Sequence, residues 1–185
     1  FNGNADGDYE FSDKKISGLF KGEITKLEAL DYVYENIKLD GYYKDKMFDG
    51  TLSMNDSNLQ FSFLGRWDAS KELPNFNFSV NVDKFVPGKL NISGNYYQAE
   101  MGFNMKANFT GNKIDNLKGV IVVDDGFYKN KNGSFSLDGI KLISVPQDSS
   151  IELSFDSNYF DIRVNGIYEF QDIWNSLKNN MNKFI

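Results

Sequence analysis

Apolar and polar residues alternate with a period of two along most of this chain, and that period restricts it to strands. Leu59, Phe61, Phe63, Gly65 and Trp67 share one parity. So do Phe76, Phe78, Val80 and Val82, and then Phe103, Met105, Ala107 and Phe109. Ile151, Leu153 and Phe155 continue the pattern, and Phe160, Ile162, Val164, Gly166 and Tyr168 close it. Each run has one apolar face and one face mostly of Ser, Asn, Asp and Lys. Aromatic residues make up 16% of the chain, which suits a pleated, half-buried surface. Only three prolines interrupt it.

Turn residues separate the runs. Asp49-Gly50, Asp56-Ser57-Asn58, Asp125-Gly126, Asn132-Gly133 and Asp156-Ser157-Asn158 read as hairpins or loops. Pro74 and Pro87 bracket a strand near 75–84. The segment Ile24 to Tyr34 fits a helix through Leu27, Leu30 and Tyr34, but Tyr32-Val33-Tyr34 favours a strand, which is the reading adopted. From Gln171 the spacing changes. Ile173, Trp174, Leu177, Met181 and Phe184 predict one short amphipathic helix over 171–184 that packs on the apolar lining as a cap.

The pattern also repeats. Asn36-Ile37-Lys38-Leu39, Leu52-Ser53-Met54-Asn55-Asp56-Ser57-Asn58 and Gly65-Arg66-Trp67 have counterparts about 100 residues later. These are Gly139-Ile140-Lys141-Leu142, Leu153-Ser154-Phe155-Asp156-Ser157-Asn158 and Gly166-Ile167-Tyr168. The expected fold is all-β: an elongated, curved antiparallel sheet, trough-like or an open sandwich, with one short C-terminal helix. It forms a single domain of two loose repeats, about 1–100 and 101–170.

The chain has no histidine and no cysteine. That removes imidazole and thiolate metal sites, disulfides, cysteine nucleophiles and histidine-based triads. The net charge is −6 and no basic cluster stands out, so no nucleic-acid partner is expected. No stretch matches a membrane span in length. Asn2-Gly-Asn4-Ala-Asp6-Gly-Asp8 imitates a calcium loop, but it opens with Asn and ends without the bidentate Glu. It reads better as a strand with acids on its wet face. Paired acids such as Asp124-Asp125 sit beside glycine, as turn residues do, and not in a desolvated cleft. The chain is therefore not expected to be an enzyme or to carry a cofactor or metal.

The apolar parity has two readings. It is either a closed sandwich core or the lining of a groove that takes acyl chains. The candidate lining is Phe61, Phe63, Phe76, Phe78, Val80, Phe103, Met105, Phe109, Ile162 and Val164. A secreted or surface β-module binding a glycan or protein is the alternative. Tyr42, Tyr43 and Tyr96 are then its candidate wet-facing aromatics.

The spacing Phe1-x-Gly3-x-Ala5-x-Gly7-x-Tyr9, with Gly18 and Gly22, resembles the TamB family of AsmA-like proteins of Gram-negative bacteria. So do Tyr32-x-Tyr34-x-Asn36-Ile37-x-Leu39-x-Gly41, Phe48-Asp49-Gly50, Pro74-x-Phe76-x-Phe78-x-Val80 and Leu90-Asn91-Ile92. The likeness rests on glycine and apolar spacing across almost the whole chain. It implies an internal piece of a periplasmic protein anchored in the inner membrane by a helix this chain lacks. It also implies a taco-like β-groove that serves phospholipid transport and protein assembly in the outer membrane. The implied partners are phospholipid acyl chains or nascent outer-membrane proteins, and an Omp85-type barrel. No catalytic residue is implied. The resemblance favours the groove over the closed core.

Overall fold

The computed structural model describes residues 2–6, 9–12, 15–93, 98–147, 150–167 and 169. They form one antiparallel sheet of thirteen strands. These are β1 (Asn2–Asp6), β2 (Tyr9–Ser12), β3 (Lys15–Ala29), β4 (Tyr32–Lys44), β5 (Met47–Asn55), β6 (Leu59–Asp68) and β7 (Asn75–Phe85). Then come β8 (Glu100–Thr110), β9 (Lys118–Asn130), β10 (Gly133–Ser136), β11 (Ile140–Gln147), β12 (Ser150–Asp156) and β13 (Ile162–Gly166). Eleven strands follow one another across the sheet, with β2 also on β3 and β10 also on β9. Among the described residues there is no α-helix, only a 3-10 turn at Ile114–Asn116. The amphipathic segment expected over 171–184 lies outside the described residues.

The ambiguous stretch is strand. Leu27 pairs with Tyr34 and Ala29 with Tyr32 across a two-residue turn. Leu30 and Asp31 both take left-handed φ, 54° and 56°. This is the primed hairpin turn, made here without glycine. Asp45 and Lys46 form a second one between β4 and β5.

Two expected turns lie inside strands. Gly50 of Asp49-Gly50 pairs with Gly41 on one side and Gly65 on the other. A Cβ at Gly50 would sit 2.5 Å from the Gly41 Cα, so glycine serves close strand approach there, not reversal. Asp125-Gly126 is a bulge. Asp125 has φ 51°, and the register of β8 on β9 shifts beside it. The bulge hands β9 from one partner to another: residues 119–123 pair with β11 and 127–130 with β10. The Asp138 carboxylate holds the crossing by accepting the Gly126 N–H at 2.8 Å. The Asn2 to Asp6 stretch is strand β1, paired with β3.

Asn36 resets the alternation within β4. Its left-handed φ of 54° puts Tyr34 and Ile37 on the same side, where strict parity would separate them. The two turns Asp56–Asn58 and Asp156–Asn158 each follow a strand running the same way, so they lie at the same end of the sheet. Every second turn of an antiparallel meander does so.

Packing is thin. Among the described residues nine apolar side chains are buried, and only Leu90 has no exposure at all. Leu90 belongs to the segment 86–93 that follows β7. This segment turns back over the end of the sheet and seats Leu90 against Tyr34 and Ile37.

Candidate functional site

The register places all ten candidate lining residues on one face of the sheet. Phe61, Val82 and Phe103 form one cross-strand row, and Phe63, Val80 and Met105 form the next. Phe76 pairs with Phe109. Ile162 and Val164 join through Phe155 and Leu153. A single row runs Phe20, Gly41, Gly50, Gly65, Phe78, Ala107, Ile121, Leu142, Phe155, Ile162. It crosses ten strands, roughly 43 Å at the usual interstrand spacing. Among the described residues the paired rows of this face from β3 to β13 hold no charged side chain.

This face is not sealed. Nine of the ten residues are half-buried, and Ile162 is 40% exposed. What covers them is chiefly their own neighbours. Phe48 lies 5.7 Å from Trp67 and 6.3 Å from Phe63, and Phe63 lies 5.5 Å from Phe78. Phe76 and Phe109 stack at 4.7 Å with planes 23° apart. Contiguous apolar surface on this scale is larger than a folded monomer ordinarily leaves exposed.

Glycine shapes the face where the rings gather. Tyr43, Phe48, Trp67, Phe76 and Phe109 form one row. Beside it, Gly41, Gly50 and Gly65 bring bare backbone together on β4, β5 and β6. Gly65 has φ 153°, which a side chain rarely adopts, and a Cβ there would meet the Asn77 oxygen and the Phe78 Cα at 2.4 Å.

The opposite face is mixed: its charged, amide and hydroxyl side chains are interspersed with Leu19, Leu64, Val120, Val122 and Val145. Lys38 pairs with Glu23 at 2.8 Å, Lys26 with Glu35 at 3.2 Å and Arg163 with Asp156 at 2.9 Å. The Lys38 hydrogen bond and charge hold the Glu23 carboxyl below its usual range. The serines and asparagines are short, so recesses of about 380 and 590 Å³ open here. Ser79 and Asn77 floor the second, and Leu64, Val120, Val122 and Lys106 wall it. Shape and chemistry thus disagree about the two faces. For an apolar ligand chemistry decides, because filling these recesses with hydrocarbon would desolvate Lys106 and Asp124.

The tyrosines divide. Tyr42 is on the mixed face, paired with Asp49, while Tyr43 pairs with Phe48 on the apolar face, against its expected wet side. Tyr96 lies outside the described residues.

Polar chemistry concentrates at the ends of the sheet. Asp56 is 3% exposed. Its carboxylate accepts from the Tyr32 hydroxyl at 2.5 Å, the Asn58 N–H at 2.8 Å and the Glu35 N–H at 3.2 Å. Burial raises the Tyr32 hydroxyl above the ordinary tyrosine range, and the bond to Asp56 adds to the rise. At the other end the Ser70 hydroxyl and N–H hold Asp68 below the usual carboxylate range. Among the described residues no buried side-chain polar atom in these caps lacks a hydrogen-bond partner.

Sequence reasoning named Pro87 as the end of a strand and Leu90-Asn91-Ile92 for their spacing, without finding that 86–93 turns back over the sheet. Pro87-Gly88 signals a turn, but Leu90-Asn91-Ile92 reads as the start of a strand. In the fold Asn91 is left-handed at φ 58°, and its side-chain amide donates to the Leu30 and Asp31 carbonyls at 3.2 and 3.1 Å.

Among the described residues no group of three or more acids is placed to hold a metal ion, and no helix is long and apolar enough to cross a membrane. No protein-family model, no curated protein and no solved structure matches this chain.

Proposed function

We propose that this chain is a segment of a TamB-like, periplasm-spanning protein, and that its apolar face carries lipid tails toward the outer membrane. One observation supports the reading best: an apolar face ten strands wide, free of charge in its paired rows and covered by no second layer of described strands. A conduit for hydrocarbon needs that surface and little else. Each buried CH₂ is worth about 0.8 kcal/mol, so a tail is held without specific polar contacts. A curved, trough-like sheet would shield such a tail on more than one side. Nascent outer-membrane strands are a second cargo the same face suits, and the resemblance adds an Omp85-type barrel as partner.

The face is poorly made for sugars. Phe76 and Phe109 stack on each other, which takes one face of each ring. Sugar platforms need those faces turned outward. The alternative, a secreted or surface module binding a glycan or protein, rests instead on the polar recesses. There apolar walls at Leu64 and Val122 flank amide and hydroxyl groups.

Photo-reactive residues separate the two. Placed at Phe78 or Met105 in the parent protein in cells, they should crosslink to phospholipid. Placed at Ser79 or Asn77 they should not. Phe78→Asp should abolish transport while the isolated chain keeps a cooperative melt, because a charge on that face is costly to desolvate. Crosslinks confined to Ser79 and Asn77 would overturn the lipid reading and leave the module reading ahead.

A further inference from the structure

The segment 86–93 occupies the surface that the proposed function assigns to a ligand. Val86 leaves β7 with its N–H on the Asn58 carbonyl at 2.9 Å. Pro87 and Gly88 are buried as the chain turns. The segment then runs back past β6 and β5 to the β3–β4 hairpin, where Asn91 is tied to Leu30 and Asp31. Leu90 fills the space between. It joins Tyr34 and Ile37 in one cluster, against which Ile24, Leu52 and Met54 of the apolar face also pack. The most buried apolar side chain described thus belongs to a crossing segment and not to the sheet.

Burial is what holds this strap: Val86 is 8% exposed and Leu90 0%, with Pro87 and Gly88 buried between them. Ile92 and Ser93 donate back to the Pro87 carbonyl, which fixes the turn within itself. Its attachment to the β3–β4 hairpin includes two exposed amide-to-carbonyl hydrogen bonds and the Leu90 contact. No strand hydrogen bond of the sheet need break for it to lift. Met105, on the same face but three strands along from Met54, lies outside the Leu90 cluster.

We infer that segment 86–93 is a strap that gates the apolar face. It shuts the part over β3–β6 with Leu90 as an internal occupant, and it leaves the part over β7–β9 open. The gating role rests on the lipid-tail reading of this face. The strap's closure does not. A tail moving across the sheet must displace Leu90.

The chain has no cysteine, so single thiols report cleanly. Met54→Cys lies against the cluster that Leu90 completes, and Met105→Cys lies outside it. Maleimide labelling rates of both are measured with and without Asn91→Ala. Loss of two neutral hydrogen bonds should raise labelling at Met54→Cys about tenfold and leave Met105→Cys unchanged. Leu90→Ser serves as a second opening variant. An unchanged rate at Met54→Cys in both, or an equal rise at both thiols, overturns the strap. Pyrene-labelled phosphatidylglycerol in vesicles then tests the gate. Asn91→Ala should take up the probe several-fold more than the parent chain. Equal uptake overturns the gate and leaves the lipid reading standing. No uptake by either chain, with the labelling response intact, overturns the lipid reading and the gate while the strap stands.

Discussion

The turns after β5 and β12 carry the same letters, Asp-Ser-Asn, and perform different work. Asp56 is almost wholly buried and accepts from three donors on three residues. The Asp156 side chain is 30% exposed and makes an ion pair with Arg163 on the next strand. The cause is the neighbouring hairpin. β3 and β4 are 15 and 13 residues long and overhang β5, so Tyr32 and the Glu35 N–H reach the Asp56 carboxylate. Beside β12 stands β11, with 8 residues, which pairs Lys141 with Asp156 and extends no further along it. A similar strand–turn–strand unit therefore becomes a buried anchor in one place and an exposed turn in the other. Local sequence sets the turn, and the adjacent strand sets what its carboxylate does.

The glycines one strand on give the widest separation. Gly65 and Gly166 occupy corresponding positions with nearly equal φ, 153° and 151°. Gly65 is hemmed in by backbone at 2.4 Å, while nothing lies within 4 Å of a Cβ at Gly166. Gly65→Ala should cost about 3–5 kcal/mol, conformational strain plus overpacking. Gly166→Ala should cost about 1–2 kcal/mol from strain alone. Urea titrations of the two variants measure the gap, and equal losses would show that the close approach at Gly65 relaxes freely.

The carboxylates come next. Asp56→Ala strands a buried hydroxyl and two N–H groups and should cost about 3 kcal/mol. Asp156→Ala should change stability by less than about 0.5 kcal/mol, because Arg163 is exposed and the pair is screened. If thermal melts place the two variants together, the contrast between the turns fails.

The same anchor predicts an alkaline limb. Tyr32 has its pKa raised in the folded state, so the neutral hydroxyl is favoured there. Its contribution is intact below the ordinary tyrosine pKa of about 10 and fades as pH rises from there through the raised folded value. Tyr32→Phe should lose stability at neutral pH yet flatten the decline above about pH 10. A decline of unchanged steepness would assign it to other groups.

The smallest effect is a gain. Lys46 is exposed with φ 69°, and its carbonyl accepts from the Trp67 indole N–H and the Ala69 N–H. Lys46→Gly should stabilise the β4–β5 turn by about 0.5–1 kcal/mol. A loss in the melting temperature would mean that the lysine side chain has a partner that matters more than strain.

Much of the sheet was legible. Alternation located β6, β7 and β8, and it put the ten lining residues on one parity, which the register then converts into one face. Turns at Asn132-Gly133 and after Asn55 were legible for the same local reason. Asp-Gly misled twice because glycine serves two needs that look alike in sequence: reversal, and close approach to another strand. The tight hairpins at Leu30-Asp31 and Asp45-Lys46 carry no glycine, so nothing local flags them. Asn36 reset the parity of β4, and only the cluster around Leu90 reveals which side Tyr34 joins.

Side-chain period is a property of the backbone alone. The sequence therefore determined, unaided, that this chain makes strands with one apolar face, and that it lacks the residue types for imidazole or thiolate chemistry. Which strands lie side by side is a matter of long-range pairing, and so is what covers the face. Those decided that the sheet stays a single open layer among its described strands, that Asp56 is buried where Asp156 is not, and that Leu90 closes one part of the face. A lone leucine between polar neighbours has no period to betray it; its burial depends on a surface contributed by residues 24 to 59, far away in sequence and near only in the fold.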